Sequence, residues 1–548
     1  MKSDRSTVMA LDEQLVPTRR FLRRCRLDRS RLKIADSLGQ EITGGKLLIG
    51  AILFRRLLER HVLDAGEKNV GVLLPPSVGG AVVNAALAIS RRVAVNLNYS
   101  LTEDQVNHCI REAGVRHVLT SRRFLEKRPM KLDAEIVFVE ELRKNATKLD
   151  TARAAFWALA APMPLLERKL GLTDVSRDEL LTIIFTSGST NEPKGVMLSQ
   201  GNIDSNITAV DALIRLVPDE MVLGALPFFH SFGYTITLWW PLTLASGVAY
   251  HFNPMDSRII GELCQKYRCT TMMGTPTFLR GYVKRCTPAQ FASLDLVLIG
   301  AEKLPLDLLE AFKAKFGFEP YEGYGTTELS PLVAVNVPEH RATSPSLAGV
   351  KHGTVGRAVP GVRVKTVDPE TLADLPQGTP GLLFVTGDNV MQGYLNRPEK
   401  TAEVVLDGWY NTGDIAVVDD DGFIRITGRQ SRFSKIGGEM VPHIGIEESL
   451  IRITGDVGEE GELPLCVTAV PDEKKGERLV VLHRPLTRPI DLVLREFGET
   501  GVPNLWIPDR TSFYEVDAIP VLGSGKLDLK QIKTIALERT HVSETYQA

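Results

Sequence analysis

The sequence predicts an α/β architecture: a large N-terminal domain of α/β layers carrying a β-rich subdomain, followed by a small α+β C-terminal domain. Three observations predict it. Strand-like and helix-like runs alternate through the first half, which argues for parallel sheet. Short β-rich runs separated by Gly, Pro and Asp turns take over between 356 and 428. Fresh helix and strand signals then begin beyond a boundary at Gly428–Arg432. The expected divisions are a basic segment at 1–44, a large domain at 45–428 and a small domain at 429–548. The length of 548 residues suits more than one domain at roughly 100–200 residues each.

The elements follow in order. Leu47 to Leu58 has helical apolar spacing, and Val70-Gly71-Val72-Leu73-Leu74 reads as a short buried strand. Val78 to Ile89 reads as a helix of small residues packed on it, and Val93-Ala94-Val95 as the next strand. The rhythm returns at Gln105 to Ala113, His117 to Thr120 and Ile136 to Val139. Phe156 to Leu172 is apolar but broken by Pro162 and Pro164, so a loop packed on its own domain is expected. Trp157 and Leu165-Leu166 touching a bilayer is the alternative. Later strands are predicted at Val362 to Lys365, Leu382 to Val385, Ile415 to Val418 and Leu479 to Leu482, with a helix at Glu447 to Ile453.

Composition excludes several classes. With 43% hydrophobic and 24% charged residues the chain reads as soluble and globular, and a formal net charge of -2 gives no global field for nucleic acid. The six cysteines include no CxxC pair, so neither a zinc site nor a disulfide framework is expected, and a reducing, cytoplasmic location fits. No run of about 18 uncharged apolar residues suggests a membrane span, and no secretory signal or sorting tripeptide is recognised. Arg19, Arg20, Arg23, Arg24, Arg26, Arg29 and Arg31 crowd one N-terminal stretch. A solvated helix face or a frayed terminus is expected there, with docking to the inner membrane face or to a partner as the alternative.

The most informative segment runs from Ile183 to Gly195. An apolar strand leads into Thr186, Ser187, Gly188, Ser189 and Thr190, then a turn and Lys194-Gly195. Glycine lets backbone N–H groups approach an anion, and hydroxyls with a lysine add donors for phosphate oxygens. This predicts a loop that cradles a polyphosphate. The GxxxxGK[ST] spacing of a Walker loop is missing.

That segment resembles the phosphate loop of the adenylate-forming superfamily, which includes acyl-CoA synthetases and peptide-synthetase adenylation domains. Four further strings stand in the family's order: Gly323-Tyr324-Gly325-Thr326-Thr327-Glu328, Trp409-Tyr410-Asn411-Thr412-Gly413-Asp414, Gly428-Arg429 and Gly523-Ser524-Gly525-Lys526. The resemblance spans roughly residues 45 to 530. It implies ATP and Mg²⁺ as cofactors and a small C-terminal domain that rotates between half-reactions. Tyr324 would stack on a purine, Gly325 and Thr326 would line the nucleotide, Thr327 would reach the α-phosphate and Glu328 would ligate Mg²⁺. Asp414 would accept the ribose hydroxyls and Arg429 would reinforce ribose or phosphate. Gly300, Ala301 and Glu302 would form the wall between adenine and acyl pocket. Lys526 is the implied catalytic lysine, stabilising charge as a carboxylate attacks the α-phosphorus. His230, within Leu226-Pro227-Phe228-Phe229-His230, would lie beside the bound carboxylate. For the neighbouring Tyr234, Trp239 and Trp240, core packing is expected.

The hinge departs from the family's usual Gly-Arg-x-Lys-Asp, because Ser431 replaces the lysine and Arg432 the aspartate. The string Lys435-Ile436-Gly437-Gly438-Glu439-Met440-Val441 resembles one branch, the ligase half of bacterial acyl-ACP synthetase/2-acylglycerophosphoethanolamine acyltransferase. In that reading Lys435, Gly437 and Gly438 line a pantetheine path, and the acid is a medium- or long-chain fatty acid. The acceptor would be CoA or the phosphopantetheine of acyl carrier protein. Ile444 stands where the family often has glutamate, with Glu447 retained. Competing readings are a fatty acyl-AMP ligase, an amino-acid adenylation enzyme, a non-catalytic scaffold, and a glycerophospholipid acyltransferase suggested by the HxxxxD spacing of His251 and Asp256.

Overall fold

The structure is a computed structural model that describes residues 15–187, 193–216, 220–437, 439–456, 463–472, 474–521 and 527–545. The chain divides into two compact units. One holds residues up to Val364 with Phe384–Tyr410 and Asp421–Ile424, and the other holds Lys365–Leu383, Asn411–Asp420 and Arg425 onward.

The first unit carries two large sheets. In the seven-stranded sheet, Leu180–Ser187, Val93–Asn96, Asn69–Leu73, His117–Thr120 and Glu135–Phe138 lie side by side and parallel. Pro193–Ser199 folds back on Leu180–Ser187 as an antiparallel hairpin, and Gly393–Tyr394 pairs with its outer edge. The parallel strands are continuous apolar runs because helices cover them. Val78–Ile89 is such a helix, started by the Ser77 side chain, which accepts from the Gly80 amide. In the nine-stranded sheet the parallel centre runs through Tyr321–Gly325, Leu296–Ile299, Thr271–Gly274, Met221–Gly224, Gly247–Tyr250 and Leu32–Asp36. Antiparallel strands close both of its edges.

A five-stranded sheet gathers Arg363–Val367, Gly381–Thr386, Val405–Leu406, Trp409–Val418 and Ile424–Arg429. Its residues fall partly in each unit. Within the second unit, an antiparallel pair Phe433–Ile436 and Glu439–Pro442 precedes the helix His443–Thr454. Leu465–Asp472, Gly476–His483 and Phe513–Glu515 form a three-stranded sheet. Val467, Val481, Leu450, Val493 and Phe497 pack together as its core.

Two expectations are corrected here. The Phe156–Leu172 stretch is not a loop: it forms a π-helix over Phe156–Ala160 and an α-helix over Met163–Leu170, with the prolines at the helix start, where no amide partner is needed. Nor is the arginine-rich stretch a solvated face throughout. Its first part is the helix Pro17–Leu27, whose Phe21, Leu22 and Cys25 are fully buried and whose Arg20 is 3% exposed, while Arg29 and Arg31 beyond it are exposed. Arg20 is stabilised there by an ion pair with Asp204 at 3.1 Å. Tyr234, Trp239 and Trp240 are fully buried. His251 is buried too, its Nδ1 2.8 Å from the Ser37 hydroxyl and its Nε2 3.9 Å from Asp256.

Candidate active site

In the first unit, the hairpin of Leu180–Ser187 and Pro193–Ser199 sets Thr186 directly opposite Lys194. Ile183 and Ile184 are buried and anchor the strand. Ser187 ends it, and Gly188, Ser189 and Thr190 lie outside the described residues. The Lys194 ammonium stands 4.4 Å from the centre of the Tyr394 ring, a cation–π distance. Tyr394 arrives from the edge strand Gly393–Tyr394, opposite Val196. Its hydroxyl donates to Glu328 Oε1 at 2.8 Å. Burial, and then the Glu328 charge, raise the Tyr394 pKa, so the hydroxyl keeps its proton and remains a donor. Burial and the same charge act on Tyr410. Tyr394 thus holds the Glu328 carboxylate with its hydroxyl and the Lys194 ammonium with its ring face.

Glu328 lies in the short 3₁₀ turn Thr327–Leu329, just past the strand Tyr321–Gly325. Its carbonyl accepts from the Met391 amide at 2.8 Å. Gly325 must be glycine, since a Cβ there would lie 2.0 Å from the Pro331 carbonyl oxygen. Thr327 Oγ1 accepts from Ser231 at 3.2 Å. Thr235 ties the π-helix Phe232–Trp239 to the same turn by donating to the Ser330 carbonyl at 2.7 Å. Tyr324 is half-buried in the strand, opposite Ala334. Gly300 is buried at the end of Leu296–Ile299, where a Cβ would come within 3.4 Å of Phe232 and 3.5 Å of the Gly323 carbonyl oxygen. Ala301 has a left-handed φ of 67°. Glu302 is exposed and accepts from Thr277 at 2.9 Å. His230 is exposed, its ring centre 4.6 Å from that of Phe229.

The donor set fits a Mg²⁺-nucleotide. Among the described residues no three His, Cys, Asp or Glu side chains converge to hold a metal by themselves. Mg²⁺ commonly takes one or two carboxylates and completes its shell from phosphate and water. Among the described residues Tyr394 is the hydrogen-bond partner of Glu328 Oε1, which leaves Oε2 for a cation. Thr326 Oγ1 is buried without a hydrogen-bond partner among the described residues, which suits a phosphate oxygen as acceptor.

In the second unit, Asp414 is 2% exposed and 3.0 Å from Arg429 Nε, while Arg429 is exposed. Gly413 takes a left-handed φ of 69°, which turns the chain into Asp414. Lys435 and Gly437 lie in the Phe433–Pro442 hairpin; Gly437 has φ 58° and donates its amide to the Lys475 carbonyl at 2.9 Å. Gly438 and Lys526 lie outside the described residues. The structure therefore gathers Thr186, Lys194, Thr327 and Glu328 in one unit, and Asp414 and Arg429 in the other. Sequence reasoning missed Ser231, Tyr394 and Tyr410 as members of the site. Ser231 follows His230 directly and was within reach, but the pairing of Tyr394 with Val196 has no local signal.

The AMP-binding enzyme family matches residues 28–395, and the chain belongs to that family. It is similar to a feruloyl-CoA synthase of an Amycolatopsis species, 29% identical over 88% of this chain and 93% of the relative. It is also similar to a long-chain-fatty-acid–CoA ligase of Escherichia coli O6:H1, 26% identical over 91% and 90%. Among solved structures, ATP-bound MatB from Rhodopseudomonas palustris superposes with a TM-score of 0.75 and 25% identity, covering 95% of this chain and 99% of MatB. O-succinylbenzoate-CoA synthetase of Bacillus subtilis, with its acyl-adenylate, gives a TM-score of 0.75 at 22% identity over 94% and 98%, a likeness of fold. The fold is thus the mixed α/β fold of adenylate-forming enzymes, with a large N-terminal and a smaller C-terminal domain.

Proposed function

We propose that this chain is an ATP-dependent, AMP-forming ligase that activates a medium- or long-chain fatty acid. The acid becomes an acyl-adenylate and is then passed to the pantetheine thiol of CoA or acyl carrier protein. The reading rests on the Lys194–Tyr394–Glu328 cluster, in which one tyrosine touches both a cation and a carboxylate beside the hairpin of Leu180–Ser187 and Pro193–Ser199. The ligase relatives named above support it. In this reading Thr186, Ser187, Gly188, Ser189, Thr190 and Lys194 bind the polyphosphate, and Glu328 holds Mg²⁺. Bound Mg²⁺ would neutralise charge on the phosphate oxygens. Thr327 hydrogen-bonds the α-phosphate, Tyr324 stacks on adenine beside Gly300, Ala301 and Glu302, and Asp414 with Arg429 holds the ribose. His230 meets the carboxylate, and Lys435, Gly437 and Gly438 line the thiol path. A second reading, an aromatic acid as substrate, is favoured by the feruloyl-CoA synthase relative and by a 4-coumarate–CoA ligase of Arabidopsis thaliana at 26% identity.

Two experiments test this. Pyrophosphate release and thioester formation are measured with a ladder of fatty acids, ferulate and 4-coumarate, with CoA or acyl carrier protein as acceptor. Each buried methylene is worth about 0.8 kcal/mol, roughly fourfold, so rates should climb steeply from acetate to longer acids. Turnover confined to hydroxycinnamates would transfer the assignment to aromatic acids, and no pyrophosphate with any acid would remove the ligase reading. Lys526→Ala should lower adenylation by about 10²–10³ and spare thiol transfer from preformed acyl-adenylate. Equal losses in both half-reactions would strip Lys526 of its role.

A further inference from the structure

Far from the Glu328 cluster in sequence, the helix Pro17–Leu27 meets the π-helix Phe156–Ala160 and the helix Met163–Leu170. Arg26 fastens them, its guanidinium donating to the carbonyls of Trp157 at 2.8 Å, Ala158 at 3.0 Å and Ala161 at 2.5 Å. Around this junction large apolar side chains face solvent: Leu27 is 61% exposed, Phe156 56%, Leu165 53% and Leu159 41%. Leu166, the neighbour of Leu165, is fully buried, so the helix turns one leucine into the core and the other outward. A hollow of about 370 Å³ opens between Arg23, Arg26, Leu27, Met163 and Pro164.

Within residues 17–33 and 153–172 the exposed charges have one sign. Arg29, Arg153, Arg168 and Lys169 are exposed. Lys169 lies one helical turn beyond Leu165 and so shares its face. The only acids in residues 17–33 and 153–172 are Asp28 and Glu167. Both are buried and paired, Asp28 with Arg24, Lys33 and, at 4.0 Å, Arg31, and Glu167 with Arg19 and Arg23. Their charge is spent inside the fold, and the surface keeps the excess of cations. Exposed aromatic and aliphatic side chains set among arginines and lysines match the interface of an anionic bilayer, where apolar groups enter the acyl boundary and cations meet phosphates.

We propose that this face docks the protein peripherally on anionic lipid bilayers, with Leu27, Phe156 and Leu165 entering the headgroup region and the surrounding cations contacting lipid phosphates. The proposal does not depend on the ligase reading. Among the described residues no helix is long and apolar enough to cross a membrane, so attachment through this face would be reversible.

Co-sedimentation of the full chain with vesicles tests it, using phosphatidylcholine alone or phosphatidylcholine with phosphatidylglycerol. The wild type should bind the anionic vesicles at least tenfold more strongly than the neutral ones, and salt should weaken the binding. Removing one cation near the surface costs about fivefold, so Arg168→Glu with Lys169→Glu should lower binding by more than tenfold. Leu27→Ser with Leu165→Ser should lower it at any salt. These exposed changes should leave the thermal midpoint and pyrophosphate release with a water-soluble acid unchanged. Equal binding to both vesicle types, or full binding by both double variants, overturns the proposal. If the wild type ignores vesicles while the charge variant loses turnover only with acyl carrier protein, the face docks an acidic protein and the lipid assignment fails.

Discussion

Tyr394 is the residue on which the first unit's chemistry converges. A hydrogen bond to a charged acceptor is worth about 1.5–3 kcal/mol, and Tyr394 spends its one donor on Glu328 Oε1. Tyr394→Phe keeps the ring beside Lys194 and frees the carboxylate to move. The Mg²⁺ concentration for half-maximal pyrophosphate release should rise about tenfold or more, with little change in the KM for the acid; an unchanged Mg²⁺ dependence would mean that Glu328 is held by other contacts. The sequence marked Glu328 and Lys194 because each stands in a recognisable string. It was silent on Tyr394, whose partners lie 66 and 200 positions away and meet it only through a sheet edge. Lys194 and Glu328 are legible one at a time, whereas their common holder exists only in the packed hairpin.

At the scale of elements, the departure after Gly428-Arg429 gains a physical account. Arg432 is 5% exposed and forms an ion pair with Glu447 on the helix His443–Thr454. Glu447 also accepts from the Val467 amide at 2.6 Å, joining that helix to the three-stranded sheet. An aspartate at 432, usual in the resembled family, would face Glu447 with a like charge. Arg432→Ala should destabilise the small unit by about 3–5 kcal/mol, since it leaves Glu447 buried and unpaired, and a denaturant titration followed by Trp506 fluorescence would read it. A loss within 0.5 kcal/mol would show that the pair is incidental. His443 opens the same helix, 4% exposed and 2.7 Å from the Ser434 hydroxyl. Burial first, then the Arg432 and Lys533 cations, push its pKa down to about 3 from an ordinary 6.5. The imidazole is neutral when folded, so its contribution is complete above pH 6.5 and drains as pH falls toward 3, by up to about 1.4 kcal/mol per pH unit. His443→Gln should flatten the stability profile between pH 6.5 and 4, and an identical slope in the variant would assign that titration elsewhere. The helix was foreseen over Glu447 to Ile453, but neither the hairpin before it nor the cation that joins them.

Over the whole molecule, nucleotide binding should register as stability. A ligand at a hundred times its Kd stabilises the fold that binds it by about 2.7 kcal/mol, so ATP with Mg²⁺ should raise the thermal midpoint in proportion to the logarithm of its concentration. Flat midpoints across that range would oppose the nucleotide reading before any acid is tried. The sequence by itself determined the α/β alternation, the change to short β-rich strands near 356, the α+β character of the C-terminal part, and the strings for which phosphate, metal and ribose roles are proposed. Those features are local: periodicity of 2 or 3.6, turn residues, and residue types at fixed offsets. Tertiary structure decided what depends on distant partners. It buried Arg20 against Asp204 far along the chain and Arg432 against Glu447 on the following helix, made helices of the proline-broken stretch at 156–172, and turned Leu165 outward while Leu166 went in. Burial and pairing are properties of what packs against a residue, and a linear string does not contain that neighbour.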